Sequence, residues 1–404
     1  MKAWRNTKKV IEDSFENAIS ARAKSLMHNQ MIKRRGKKVL LENGKWVTEY
    51  LNCSYLGLDV EKEIIEAYKM GVDELGIGFC AARTRLSTRP NMQLEAALSD
   101  LWRGKAVVFP SVTSTHQSVM PLISSGSFWG QGRPVRFIFD KFAHSSMQSL
   151  IPILDEEAEV YIIDHNDLDS LRFHIENAKT FGELPIYVSD GIYSMGGHCP
   201  IKEVESLLET TDLHWYVDDA HGTSLYGDRG EGYVLEKISP KNCSKIALTF
   251  SLAKGFGATG GGVLVFSEKQ EQLIRTFGQN YMFSAPMDYG AISAAIKIVD
   301  YHLSGEIIRR RNLLRENEYY FDQLLSHLDL NDGPIKMIHV GDSERTMILG
   351  ESLMNKGILV STVFFPVVPR HKGQLRICLS ALHTKEDISY LAESLLSGLK
   401  EIGA

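Results

Sequence analysis

The sequence predicts an α/β protein, with a large domain built on a mostly parallel central sheet flanked by helices and a smaller α+β domain at the C-terminus. Two observations lead there. From about residue 60 to 270, short apolar runs alternate with helical patterns at roughly the 25–30-residue spacing that a strand–helix–strand crossover needs. The runs are mostly apolar on both alternations, as strands covered on both faces are. After residue 287 the rhythm changes to a long helical stretch and then shorter β and α segments. The predicted divisions are a helix and hairpin segment at 1–59, a large domain at 60–290 and a small C-terminal domain at 291–404. A chain of 404 residues is long enough for such a two-part core.

Taken in order, residues 8–30 read as a helix of mixed polarity. Val39-Leu40-Leu41 and Trp46-Val47-Thr48 flank Asn43-Gly44, whose positive φ values suit a hairpin turn. The candidate strands of the large domain are 106–109, 135–139, 160–163, 186–188, 215–217, 246–250 and 262–266. His165-Asn166-Asp167 before Leu168 is a turn and helix cap. In the helix 201–210, Ile201, Val204, Leu207 and Leu208 share one stripe. A single helical stretch over 287–326 and a final helix over 384–400 complete the pattern.

Composition narrows the function classes. The net charge of −5 offers no global field for nucleic acid or an anionic membrane, so neither partner is expected. Basic residues cluster in Lys33-Arg34-Arg35 and Lys37-Lys38. These read as a solvated surface segment, with a clamp for the phosphates of a large anionic substrate as the alternative. Five scattered cysteines without a C-x-x-C pair point to reduced thiols, with no disulfide framework and no metal site. The first residues lack a signal-peptide core, and no run approaches the ~18 apolar residues of a membrane span. A soluble, cytoplasmic protein is expected.

In an open parallel sheet, ligands bind at the carboxyl ends of the strands, and five of the candidate strands end in polar groups. Ser111-Val112-Thr113-Ser114 opens a helix, where free N–H groups and hydroxyls make an anion site or a simple cap. Asp140 to His144, Asp190 to Gly197, Asp218 with His221, and Ser251 with Lys254 follow the others. A carboxylate ending one strand and a lysine in the next Gly/Ser loop suit pyridoxal phosphate. The amine condenses with the cofactor aldehyde, and the carboxylate keeps the pyridine nitrogen protonated.

These motifs resemble the α-oxoamine synthases of the pyridoxal-phosphate-dependent fold-type-I superfamily. That family includes 8-amino-7-oxononanoate synthase, 2-amino-3-ketobutyrate coenzyme A ligase, serine palmitoyltransferase, 5-aminolevulinate synthase and the α-aminoketone autoinducer synthases. The resemblance runs from Asn52 to the C-terminus. It is most specific in Asp190-Gly-Ile-Tyr-Ser-Met-Gly-Gly197, Val217-Asp-Asp-Ala-His-Gly-Thr223 and Ser251-Leu-Ala-Lys-Gly-Phe-Gly257, and it recurs in Phe365-Pro-Val-Val-Pro369 and Leu375-Arg376-Ile377. It implies that Lys254 carries the cofactor, that Asp218 pairs with the pyridine nitrogen, that His221 bonds the phenolic oxygen and that His144 stacks on the ring. Ser111, Val112, Thr113 and Ser251 would hold the phosphate, and Ser194 would also line the cofactor. Ser284 would reach the phosphate of a neighbouring subunit, so a homodimer is implied. Arg376 would hold the amino-acid carboxylate, with Ser54 and Arg85 on the substrate side.

The chain also departs from the family. Ser111-Val112-Thr113 replaces Ser-Gly-aromatic, and His116 stands where asparagine is usual. Phe79-Cys80-Ala81-Ala82 replaces a glycine-rich stretch, Asn91 replaces a histidine, Gln374 an arginine and Ser54 an asparagine. The expected reaction is a decarboxylating condensation of an amino acid with an acyl thioester. The changes fall on the substrate side, so the amino acid, the acyl donor and the choice between coenzyme A and an acyl carrier protein stay open. The added bulk at 79–82 favours a fatty acyl thioester over acetyl- or succinyl-coenzyme A. An aminotransferase and a related condensing enzyme of secondary metabolism or signalling are the alternatives. His144, His221 and Ser194-Met-Gly-Gly197 favour the synthase over the aminotransferase. The intact lysine, aspartate and histidines argue against a non-catalytic subunit.

Overall fold

A computed structural model describes residues 7–403. The chain forms two compact units. One comprises Leu58–Ser194 and His198–Ile307. The other gathers the described residues through Gly57, the piece Met195–Gly197 and the chain from Ile308 onward. Among the described residues, no helix is long and apolar enough to cross a membrane.

In chain order, the second unit opens with β1 (Met31–Arg35), β2 (Lys38–Leu41) and β3 (Trp46–Glu49). The first unit then contributes β4 (Lys105–Phe109), β5 (Val135–Asp140), β6 (Glu159–Ile163), β7 (Leu184–Asp190), β8 (His214–Asp218), β9 (Ile246–Ser251) and β10 (Gly261–Val265). The second unit closes with β11 (Ile335–Gly341), β12 (Ile358–Leu359), β13 (Ser361–Val363) and β14 (Gly373–Cys378).

The seven strands of the first unit lie in the order β4-β10-β9-β8-β7-β5-β6. β5 to β9 pair in parallel, while β10 runs antiparallel to both its neighbours. The reversal follows from loop length. A parallel crossover needs about a dozen residues or more, and Leu252–Gly260 is too short to make one. That short loop is the one that carries Lys254. The apolar runs are buried on both faces as expected, with Phe137, Phe139, Val188, Tyr216 and Val263 inside one continuous core.

Several local expectations hold. Asp167 caps the helix Leu168–Phe181 by accepting from Ser170 N, and the stripe Ile201, Val204, Leu207 and Leu208 is buried. Others need correction. The N-terminal helix spans Thr7–Ala23 rather than 8–30, because Ser25 and His28 adopt positive φ of 56° and 59° and the chain turns into β1. The stretch 287–326 is two helices, Tyr289–Leu303 and Glu306–Leu324, broken at Gly305, whose φ of 82° ends the first. The basic cluster is not uniformly solvated. Lys37 is buried, and its Nζ lies 3.0 Å from Glu49 Oε1. Glu49 Oε2 also accepts the N–H groups of Leu51 and Asn52, so this buried charge is fully partnered.

In the second unit, β1, β2, β3 and β12 form one sheet and β11, β14 and β13 another. Tyr50 and His383 stack at 4.2 Å inside it. Both nitrogens of His383 are engaged: Nδ1 accepts from Ser380 N and Nε2 donates to Glu49 O.

Candidate active site

The parallel strands place their last residues side by side. Asp190 on β7 is the register partner of Asp218 on β8, which pairs in turn with Thr249 on β9. Asp190, Asp218 and Asp219 are all buried at this edge, with a fourth buried carboxylate, Asp140, at the end of β5. Their surroundings separate them. Burial, followed by the charge of Asp218, pushes Asp190 well above the usual carboxylate range, although its Oδ1 accepts the N–H of His144 at 2.9 Å. Burial likewise pushes Asp219 up, and its Oδ2 accepts Val234 N at 3.1 Å.

Asp218 goes the other way. Burial alone would raise it, but the hydrogen bond from His116 and the positive charge of nearby Lys254 hold it well below the ordinary value. Its Oδ1 accepts Ala220 N at 2.9 Å and its Oδ2 lies 3.1 Å from His116 Nε2. Of Asp190, Asp218 and Asp219, Asp218 is the one kept charged.

Lys254, in the β9–β10 loop, is half-buried, with Nζ 2.9 Å from His221 Nε2. Ser251 is buried at the end of β9, where its Oγ accepts Ala253 N. His144 follows β5 and opens a short helical turn, with Nδ1 2.6 Å from Ser146 Oγ. Burial lowers its basicity, so the ring is neutral near pH 7. Tyr193 is buried and Ser194, the next residue, is half-buried.

The helix Val112–Ser124 starts at Ser111, which forms a capping box with Ser114. Ser111 and Thr113 are exposed and Val112 half-buried. Helix geometry leaves the N–H groups of Val112 and Thr113 without an intrahelical partner. The start of β10 lies against this point: a Cβ on Gly261 would come within 2.6 Å of Val112 Cγ2 and 2.8 Å of Phe250 O.

This donor set fits a flat protonated pyridine with a phosphate arm. A buried carboxylate that stays charged at the end of β8, a lysine amine after β9, a neutral ring after β5 and open N–H groups at the helix start after β4 all belong to one sheet edge.

Ser284 is half-buried, and its Oγ donates to Ala285 O at 3.4 Å. In the second unit, Arg376 Nη2 donates to Cys53 Sγ at 3.4 Å, and Tyr55 and Cys378 share that surrounding. Ser54 is buried, and its carbonyl accepts from Ser380 Oγ. Arg85 is exposed. Arg83 is instead buried, with its guanidinium 3.9 Å from the centroid of the Tyr281 ring.

The residue that sequence reasoning passed over is His116. It stood out only as a departure from an expected asparagine, yet it is fully buried against Asp218. Asp190 was read as turn chemistry and proves to be a buried acid beside the site.

The aminotransferase class I and II family model matches residues 82–395. The 8-amino-7-oxononanoate synthase of Buchnera aphidicola subsp. Baizongia pistaciae is 31% identical over 376 residues, covering 90% of this chain and 92% of that protein. The 8-amino-7-oxononanoate synthase of Fervidobacterium nodosum is 27% identical over 397 residues, covering 95% of each. Two solved structures share the fold. A serine palmitoyltransferase from Sphingomonas wittichii superposes with a TM-score of 0.85 at 21% identity, covering 97% of this chain and 98% of that one. An 8-amino-7-oxononanoate synthase from Francisella tularensis gives 0.73 at 21% identity, covering 89% and 99%. By sequence and by fold, the chain belongs to the aminotransferase class I and II family and, within it, to the α-oxoamine synthases.

Proposed function

We propose that this protein condenses an amino acid with an acyl thioester, releasing CO2, a thiol and an α-aminoketone. It is a pyridoxal-phosphate-dependent acyltransferase. In balance, the Cα–carboxylate bond and the thioester C–S bond break, a C–C bond forms, and the thiol leaves with a proton. The observation that carries the reading is Asp218, kept charged beside the buried Asp190 and Asp219 and next in the sheet to the strand that delivers Lys254.

Bound pyridoxal phosphate supplies an electron sink for the carbanion at Cα. The chain's own residues do the rest. Lys254 would hold the cofactor, and its amine is the base placed to move the Cα proton. Asp218 keeps the pyridine nitrogen protonated, and His221 beside Lys254 bonds the phenolic oxygen. His144 covers the ring. Ser111, Val112, Thr113 and Ser251 take the phosphate, with Ser194 also lining the cofactor. Arg376 grips the substrate carboxylate with its guanidinium fork, with Ser54 and Arg85 on the substrate side.

The working assembly is a homodimer, with Ser284 facing the neighbouring phosphate. Met70, Ile77, Phe79, Leu86 and Met92 are all exposed within one short stretch, as a surface awaiting a partner would be. Phe79 and Cys80 are exposed on the single chain, so an acyl pocket that they wall would be completed by the second subunit. That wall favours a fatty acyl thioester. The five cysteines form no disulfide, in keeping with a cytoplasmic location.

The test pairs two measurements. Borohydride should fix the cofactor on Lys254, and Lys254→Ala should retain none covalently. A panel of amino acids against acyl-coenzyme A of increasing length should release CO2 and thiol together, most rapidly with long chains. Best turnover with acetyl-coenzyme A rejects the fatty acyl assignment. Amino-group transfer to an oxo acid without CO2 makes the protein an aminotransferase.

A further inference from the structure

His116 sits on the buried face of the helix Val112–Ser124 and has no exposed surface. Each ring nitrogen meets one partner: Nδ1 lies 2.8 Å from Tyr216 Oη, and Nε2 lies 3.1 Å from Asp218 Oδ2. Burial and the charge of Asp218 push the Tyr216 phenol well above its ordinary value, so it keeps its proton. A buried O–H must donate to something, and the acceptor it meets is Nδ1. With Nδ1 accepting, the proton of the neutral imidazole is on Nε2, pointing at Asp218. The hydrogen bonds therefore run in one order, from Tyr216 O–H to His116 Nδ1 and from His116 Nε2–H to Asp218.

The chain fixes two properties of the carboxylate at once. With Ala220 N–H on Oδ1 and His116 on Oδ2, both oxygens are tied and the plane of the group is set. Because the donor ring is neutral, the negative charge of Asp218 is stabilised without being cancelled. Tyr216 and Asp218 both belong to β8, two residues apart, so their side chains leave the same face of the strand. A single ring on the overlying helix can bridge them.

We propose that His116, locked in one tautomer by Tyr216, is the positioning residue that fixes the charge and orientation of Asp218 for a cofactor's ring nitrogen. The inference rests on the pyridoxal phosphate reading given above, and it assigns a role to the place where the sequence departs from the asparagine of its family.

The test has a cofactor-free arm and a cofactor arm. In cofactor-free protein with ¹⁵N-labelled histidine, long-range ¹H–¹⁵N spectra should show His116 protonated at Nε2 alone at neutral pH. In Tyr216→Phe, where Nδ1 loses its donor while Asp218 still faces Nε2, Nδ1 should no longer be held unprotonated and a second N–H should appear there. A proton on Nδ1 in the unsubstituted protein overturns the proposal, whatever the cofactor proves to be. In the second arm, His116→Phe fills the space without a donor, and affinity for pyridoxal phosphate should fall about tenfold to a hundredfold, as expected for a lost bond to a charged group. The absorbance of the bound cofactor should shift as well. His116→Gln, which restores a donor, should recover most of both, and Tyr216→Phe should lie between. If folded His116→Phe binds and absorbs like the unsubstituted protein, the ring only fills space and the positioning role is wrong. Unsubstituted protein that takes up no pyridoxal phosphate would overturn the functional reading instead, and the tautomer measurement would still decide the hydrogen-bond order.

Discussion

At the scale of single residues, adjacent aspartates are told apart by their neighbours. Asp218 and Asp219 stand side by side in the sequence, but only Asp218 faces His116, Lys254 and His144. Asp219 turns to the N–H of Val234 and is pushed up by burial. Asp218→Ala should therefore abolish most turnover, because removing one partner of a buried charge pair costs about 3–5 kcal/mol. Asp219→Ala should lower stability more than chemistry. Steady-state rates and urea midpoints of the two variants check this, and the reverse pattern would place the functional carboxylate one residue on. Arg376→Ala should leave the cofactor spectrum intact and raise the amino-acid KM about tenfold to a hundredfold, the ~1.5–3 kcal/mol of a lost charge-assisted bond. An unchanged KM would put the carboxylate elsewhere. Lys254, Asp218 and His221 stood out as candidates because their residue types and spacing are chemically unusual, and the fold brings them to one end of the sheet. His116 did not, since a lone histidine inside a helix carries no signal until the strand beneath it is known.

At the scale of elements, the phosphate end of the site depends on how closely β10 approaches the helix that begins at Val112. Gly261 makes that approach possible. An added Cβ would meet Val112 Cγ2 at 2.6 Å, Phe250 O at 2.8 Å and Val112 N at 3.1 Å, two of which are backbone atoms that cannot swing aside. Gly261→Ala should cost about 1–3 kcal/mol of stability by overpacking and displace the helix start. Affinity for pyridoxal phosphate should fall while affinity for pyridoxal, which lacks the phosphate, changes little. Equal losses for the two ligands would show that the helix start is not the phosphate site. The strands and the helix opening were readable from apolar runs and from Ser111. The reversed direction of β10 was not, because strand sense is set by how the ends pair and periodicity looks the same either way. The break at Gly305 was passed over for a related reason: helical spacing continues on both sides of it.

At the scale of the whole molecule, buried neutral histidines tie stability to pH. Burial, with Lys37 adding to it, lowers His383 to about 3, and burial lowers His214 to about 4. Above the ordinary histidine value of about 6.5, folded and unfolded states both hold a neutral ring and nothing is lost. As pH falls from there toward 3, the unfolded chain takes up the proton first, so stability declines through that window. The loss for a site like His383 is on the order of a few kcal/mol. Urea midpoints at pH 8 and pH 5 should show the decline, and His383→Gln should start less stable at pH 8 but lose less on acidification. A variant with the same slope as the unsubstituted protein would assign the acid sensitivity to other groups. The sequence by itself determined the α/β class, the positions of the strands, the cofactor and the family, since each rests on periodicity or on residues rare enough to be informative in one dimension. Only the tertiary structure decided which of three neighbouring acids stays charged, that Lys37 is a buried ion-pair partner and that His116 hydrogen-bonds Asp218. Charge and hydrogen bonding depend on what packs within a few ångströms, and those neighbours lie tens of residues away along the chain.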